Sequence, residues 1–162
     1  MILVTGGTGM VGAHLLVECV KKKQNLVATF RREESIDVVK KVFESIAPEY
    51  LKDFALIQWK KAPLNDINAL DDAFQGVEYV YHCAAMVSFN KRDKKQMLKV
   101  NIEGTSNVVN LSLDYNVKKL CHVSSTAAIG NTTNGDLRTE KNDWQNDGTF
   151  SKYSISKYFA EM

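Results

Sequence analysis

Apolar and polar positions along this chain recur in two periods. Met1 to Thr5 is a short apolar, β-branched run that predicts a buried strand. From Met10 to Lys22 the apolar positions Val11, Leu15, Leu16, Cys19 and Val20 recur at helical spacing, and a cluster of glycines separates the two segments. The opening therefore reads strand, glycine turn, helix. The alternation continues with a strand at Asn25 to Phe30, a helix at Ile36 to Ile46, a strand at Phe54 to Trp59 and a short helix at Ile67 to Phe74, ending before Gly76. A strand at Val77 to Cys83, a long helix from about Lys95 to Tyr115 and a strand at Lys119 to Ser124 follow. Pro48 and Pro63 fall in connections, where a missing donor is tolerated. The chain turns polar from Asn131 to Gly148, and a last helical stretch covers Thr149 to Met162.

Strands that alternate with helices, and that are apolar enough to be covered on both faces, predict an α/β fold with a parallel sheet. Right-handed crossovers make it a doubly wound sheet of Rossmann type, with strand order 3-2-1-4-5 and ligands at the carboxyl ends of the strands. No repeat or low-complexity linker interrupts it, so residues 1–162 read as one domain. The final helix runs to the last residue with neither cap nor closing strand, which predicts a sheet truncated before its remaining strands.

Composition narrows the function classes. With 44% hydrophobic and 25% charged residues the chain fits an ordinary globular domain. Lys and Arg total 21 against 19 Asp and Glu, and a net charge of +2 supplies no field that argues for nucleic acid or an anionic membrane as a partner. No apolar run approaches the roughly 18 residues of a membrane span, and no basic amino-terminal region precedes an apolar signal core. Cys19, Cys83 and Cys121 are far apart and lie in apolar surroundings, with no metal-ligand spacing. They read as buried, reduced thiols of a cytoplasmic protein, and no metal site is expected.

Four of the nine glycines fall within seven residues, in Thr5-Gly6-Gly7-Thr8-Gly9-Met10-Val11-Gly12. Between a strand and a helix, such glycines let a pyrophosphate approach the backbone and the helix amino terminus. At the end of the second strand, where an acidic side chain would bind both ribose hydroxyls of NAD, Phe30 is followed by Arg31 and Arg32. Arginines there suit the 2'-phosphate of NADP, with NAD the alternative; Glu33 and Glu34 dilute the field, and two solvated surface arginines are the plainer reading. Ala84 and Ala85 follow the fourth strand and are small enough for a cofactor to lie against the backbone, while His82 reads as structural.

Tyr153 and Lys157 lie four residues apart, which places a phenol and an ammonium on one helical face. Tyr115 and Lys119 share the spacing, but only Tyr153 follows the carboxyl end of the fifth strand, on the ligand side of the sheet. A phenol that exchanges protons near neutrality must titrate about three units below its usual value of about 10, and one nearby cation supplies a shift of that size. Ser124, Ser125 and Thr126 offer hydroxyls at the end of the fifth strand, either to a substrate or to the local backbone. Asn101, in the long helix, either faces solvent or braces the site.

Together these residues resemble the extended short-chain dehydrogenase/reductase family, and most its NAD-dependent epimerase/dehydratase and dihydroflavonol reductase-like branch. The family's TGxxGxxG matches Thr5, Gly6, Gly9 and Gly12, and its HxAA matches His82, Ala84 and Ala85. Its NxxGT matches Asn101, Gly104 and Thr105, and its YxxSKxxAE matches Tyr153, Ser156, Lys157, Ala160 and Glu161. The resemblance implies that Tyr153 is the catalytic acid/base and that Lys157 holds the nicotinamide ribose. It places the substrate-orienting hydroxyl on Thr126, with Ser125 beside it. Where the family has Asp-Leu to hold adenine, this chain has Pro63-Leu64, which leaves Leu64 and no carboxylate unless Asp66 supplies one. The implied activity is an NADP-dependent oxidoreductase acting on a small-molecule carbonyl or a sugar nucleotide, with a homodimer as the implied assembly. Family members run to about twice this length, so 1–162 corresponds to the amino-terminal cofactor-binding half, without the part that closes over substrate. An epimerase or dehydratase with tightly held NAD(P) and a non-catalytic NAD(P)-sensing module are the alternatives.

Overall fold

The strongest local constraint on this chain is its run of short apolar strands, which must pair with one another to satisfy their backbone groups. A computed structural model describes residues 1–132, 137–142, 144 and 148–162, so the polar stretch 131–148 lies partly outside the described residues. Five strands form one parallel sheet: β1 (Ile2–Thr5), β2 (Leu26–Phe30), β3 (Gln58–Lys61), β4 (Tyr79–His82) and β5 (Lys119–His122). Their order is β3-β2-β1-β4-β5, as the alternation predicted. Ile2 sits opposite Leu26 on one side and Tyr79 on the other, so β1 is central. The helices are α1 (Met10–Lys21), α2 (Ser35–Ile46), α3 (Ile67–Phe74), α4 (Lys94–Asp114) and α5 (Lys152–Phe159). Among the described residues no helix is long and apolar enough to cross a membrane.

The chain divides into two compact units. One comprises Met1–Ala85 with Asn107–Val123 and contains the whole sheet; the other comprises Met86–Ser106 with Ser124–Met162 and contains α5. The core of the first unit gathers Val4, Leu16, Val17, Leu26, Val39 and Phe43, all essentially sealed from solvent. Phe43 meets Phe54 edge to face at 5.3 Å, a geometry that aligns the ring edge with the partner's electron-rich face.

The third strand begins later than its sequence suggests. The apolar run expected as a strand from Phe54 to Trp59 is mostly 3₁₀ turn, Pro48–Leu56, and β3 starts only at Gln58. Pro48 sits at the first position of that turn, where its missing N–H costs nothing. Tyr50, Leu51 and Phe54 then bury against the α1 and α2 core rather than in the sheet. Trp59 is the half-buried residue of an otherwise exposed edge strand. The other elements end within a few residues of expectation; β4 and β5 are each shorter, and α5 covers only Lys152–Phe159 of the stretch from Thr149.

The edges also correct the reading of the cysteines. Cys19 is buried in α1, Cys83 is half-buried and Cys121 is exposed, because among the described residues β5 pairs on one side only and alternate positions remain open. Burial pushes the Cys83 thiol up to about 11, so it is protonated near neutrality.

Across the amino-terminal edge of the sheet, Glu78 receives the Met1 amino group at 3.0 Å and the Lys118 ammonium. The hydrogen bond from Lys118, helped by that from Met1, holds the Glu78 carboxyl down at about 2 from an ordinary 4.5. A carboxyl whose folded value is depressed adds stability above its unfolded value, and that stability is lost as pH falls through the folded one. Glu78→Gln should therefore lower the thermal midpoint at pH 7, with the difference from wild type closing between about pH 4.5 and about pH 2 in a melting series. Phe43→Ala should lower the unfolding free energy by about 3–5 kcal/mol in urea titrations, since a buried aromatic would leave a cavity.

Candidate functional site

In the sheet-bearing unit the glycine turn joins β1 to α1 in very little space. Gly6 has φ +66°, and a Cβ there would come within 2.6 Å of the Ala84 Cα. At Gly12 a Cβ would come within 2.3 Å of the Gly6 carbonyl oxygen. No side chain fits either position without moving backbone, so α1 begins flush against the end of β1, beside the end of β4. Gly9 caps α1 without a side-chain bond, and no carboxylate occupies the first turn. The positive end of the helix therefore has no carboxylate in its first turn to offset it. Met10 and Val11, in that turn, are 80% and 49% exposed, and Thr8 is partly exposed. These features fit a dinucleotide pyrophosphate.

Arg31, Arg32, Leu64, Ala84 and Ala85, also expected around a cofactor, fall in the same unit, whereas Tyr153 and Lys157 fall in the second. Arg31 and Arg32 follow β2 and are exposed. Arg32 lies 3.8 Å from Glu34 in a pair mostly open to water, which is worth little. Leu64 is buried, and its carbonyl accepts a hydrogen bond from Asn107 Nδ2 at 2.9 Å. Asp66 accepts the Ala69 N–H at 3.1 Å and so caps α3; its carboxylate serves the helix. Ala84 is packed against Gly6, while Ala85 is exposed. His82 is fully buried and hydrogen-bonded to the Thr5 hydroxyl at 2.6 Å, the structural role expected of it. The second tyrosine is structural as well: Tyr115 donates to Asp71 at 2.8 Å, and that hydrogen bond raises the phenol above its ordinary value.

The second unit holds the proton-transfer candidates. α5 starts with Ser151, whose hydroxyl accepts the Ser154 N–H at 3.0 Å. Tyr153 and Lys157 sit one turn apart on it, Tyr153 partly exposed and Lys157 only 2% exposed. Burial lowers the Lys157 ammonium from its ordinary 10.5, and the Glu161 charge opposes this. Asn101 is 1% exposed and braces rather than faces solvent. Its Oδ1 accepts the Met86 N–H at 2.7 Å, and its Nδ2 donates to the Met86 carbonyl at 3.0 Å and to the Ser156 hydroxyl at 2.9 Å. Ser156 in turn donates to the Tyr153 carbonyl at 2.7 Å. One amide thereby fixes both the segment after β4 and the turn of α5 that carries Tyr153.

The three hydroxyls after β5 separate by their partners. Ser124 donates to Glu161, and Ser125 accepts the Ala127 N–H at 3.1 Å, capping the short turn Thr126–Ala128. Thr126 is exposed, and its hydroxyl makes no hydrogen bond among the described residues. A cleft of about 520 Å³ is lined by Thr126, Ser125, Trp144, Tyr158 and Glu161, among others; Tyr153 and Lys157 do not line it. Trp144 stacks on Phe150 at 3.8 Å and on Tyr158 at 4.4 Å. The sequence reading missed this stack, and its one signal was a lone tryptophan in a polar stretch.

A family model of the NAD dependent epimerase/dehydratase family matches residues 2–162. A putative dihydroflavonol 4-reductase from Synechocystis sp. is 30% identical over 159 residues, covering 98% of this chain and 42% of its own length. The crystal structure of gox2253 superposes with a TM-score of 0.80 at 27% identity, over 99% of this chain and 45% of that one. The yeast methylglyoxal/isovaleraldehyde reductase Gre2, complexed with NADPH, matches with a TM-score of 0.77 at 20% identity, over 99% of this chain and 50% of its own, which shows the shared fold. Other structures of this fold hold NAD. The chain spans about half the length of these proteins or less. With its sheet order, glycine turn and matched length in agreement, the chain belongs to the NAD dependent epimerase/dehydratase family.

Proposed function

We propose that these residues form the cofactor-binding part of an NADP-dependent oxidoreductase in which Tyr153 is the acid/base. The observation that carries this reading is the Asn101–Ser156–Tyr153 chain of hydrogen bonds. It fixes the turn of α5 that carries a solvent-reachable phenol while the neighbouring ammonium is buried. A chain that only binds cofactor has no need of a phenol carried on a braced turn.

On this reading the Gly6–Gly12 turn and the open amino terminus of α1 hold the pyrophosphate, Arg31 and Arg32 hold the 2'-phosphate, and Lys157 holds the nicotinamide ribose. The nicotinamide, when bound, exchanges a hydride with the substrate carbon. Thr126 donates a hydrogen bond to the substrate oxygen and sets its position. Tyr153 gives its proton to that oxygen during reduction and takes it back during oxidation. Lys157, kept from bulk water, stabilises the phenolate left after the proton is transferred. The substrate is a small molecule bearing a carbonyl or the corresponding alcohol. Net oxidation of NADPH in large stoichiometric excess over protein is expected of a reductase; an epimerase returns its cofactor to the starting state.

Two measurements test this reading. In titrations of the chain, NADPH should bind more tightly than NADH, and Arg31→Ala/Arg32→Ala should weaken NADPH by about ten- to a hundredfold, with NADH little changed. Equal wild-type affinities would remove the NADP assignment. In the natural full-length protein, Tyr153→Phe should lower kcat by at least about a hundredfold with little effect on cofactor affinity, whereas Lys157→Ala lowers both. More than about a tenth of kcat retained by the Phe variant would exclude Tyr153 as the acid/base.

A further inference from the structure

Resting on the cofactor site proposed above, we infer that this chain does not recognise the 6-amino group of adenine, so that a dinucleotide carrying hypoxanthine, with a 6-oxo group in its place, binds as tightly. With pyrophosphate at the glycine turn and ribose at the end of β2, the base extends toward β3, the next strand in the sheet order. Phe30, at the end of β2, lies opposite Lys61 at the end of β3, and the Ala62 N–H donates to the Phe30 carbonyl at 3.1 Å. The turn that follows, residues 62–66, therefore stands beside the base.

Selecting between these purines needs a group that tells a donor from an acceptor. Adenine presents an N–H donor at position 6 and hypoxanthine an oxygen acceptor, so a free carboxylate would bind the first and repel the second. The one carboxylate of the turn is committed elsewhere: Asp66 Oδ1 accepts the Ala69 N–H at 3.1 Å and caps α3. Position 63 is a half-buried proline, with neither a polar side chain nor an N–H. The backbone is engaged too. The Pro63 carbonyl accepts the Asp66 N–H at 2.9 Å, and the Leu64 carbonyl accepts a hydrogen bond from Asn107 Nδ2 at 2.9 Å.

The polar side chains that remain are indifferent to the exchange or favour the oxo group. Asn65 is exposed, and a primary amide serves either base by turning over, offering Oδ1 to the amine or Nδ2 to the oxygen. Lys60 and Lys61 are exposed donors at the end of β3, better suited to an oxygen than to an amine. Glu33 and Glu34 follow β2 rather than β3, and Glu34 is 3.8 Å from Arg32. What the turn offers a purine is apolar contact from Pro63 and the buried Leu64, and the two bases share it.

The test is calorimetric titration of the natural full-length protein with NADPH and with reduced nicotinamide hypoxanthine dinucleotide phosphate, which differ only in the base. Their dissociation constants should agree within about threefold, and an analogue weaker by about tenfold or more, the loss expected when a hydrogen bond to a charged group is removed, would overturn the proposal. NADH and its own hypoxanthine analogue should give the same ratio, which keeps the result independent of what Arg31 and Arg32 bind. Pro63→Asp supplies a carboxylate at this edge and should weaken the analogue relative to NADPH by about tenfold or more. A variant that circular dichroism shows to be folded, but whose ratio stays at the wild-type value, would remove the turn from the base and overturn the proposal. If the variant does not fold, the wild-type ratio decides. Binding of neither NADPH nor NADH would remove the cofactor reading and this proposal together, whereas NADPH bound without its analogue would overturn the proposal alone.

Discussion

The absence of a β-carbon at Gly6 and Gly12 is the constraint from which the ligand end of the sheet follows. With the Gly6 carbonyl only 2.3 Å from where a Gly12 β-carbon would stand, α1 can begin directly where β1 ends. Gly6 at φ +66° makes that turn, and its own missing β-carbon leaves room for the Ala84 backbone at the end of β4. Strand, turn, helix and the neighbouring strand are thereby locked at one point. The packing needs glycine whether or not anything binds. What it creates is a helix terminus with neither side-chain cap nor carboxylate, a local positive end that a phosphate would complete.

Most of this fold was legible because its signals are local. Strand runs near Ile2, Leu26 and Val80 are apolar, and each is followed by a segment of helical period, so a parallel sheet was the one arrangement that covers both faces. β3 was misplaced because apolar content and strand are not the same signal. Tyr50, Leu51 and Phe54 are apolar in order to cover α1 and α2, whereas the true strand, Gln58–Lys61, is an edge with three exposed positions. Cys121 was misread because β5 pairs on one side only among the described residues, which leaves alternate side chains open even where the sequence around them is apolar.

Within the candidate site, residue types and spacing were legible, but hydrogen-bond partners were not. Asn101 could equally have faced water; only the fold brings it to Met86 and Ser156. The three hydroxyls after β5 look interchangeable in sequence, yet Ser124 is committed to Glu161 and Ser125 to the Ala127 N–H. Thr126 alone among them has a hydroxyl that makes no hydrogen bond among the described residues. Such distinctions depend on which acceptors the chain has already satisfied, and one-dimensional spacing does not encode that.

A buried lysine makes the strictest demand on the second unit. Lys157 is 2% exposed, and removal from water disfavours its charged form. Glu161, one turn on, acts in the opposite sense and favours the ammonium. The bond that Ser124 gives Glu161 orients that carboxylate. Ser156, between Tyr153 and Lys157 in sequence, bonds to Asn101 and to the Tyr153 carbonyl, which gives the same helix a second anchor. α5 is thus fixed by polar contacts at several points along only two turns. An eight-residue helix is too short to be stable through its own backbone bonds. Its position is set instead by these side chains, and the placement of its phenol and ammonium depends on the Asn101 amide more than on helix propensity.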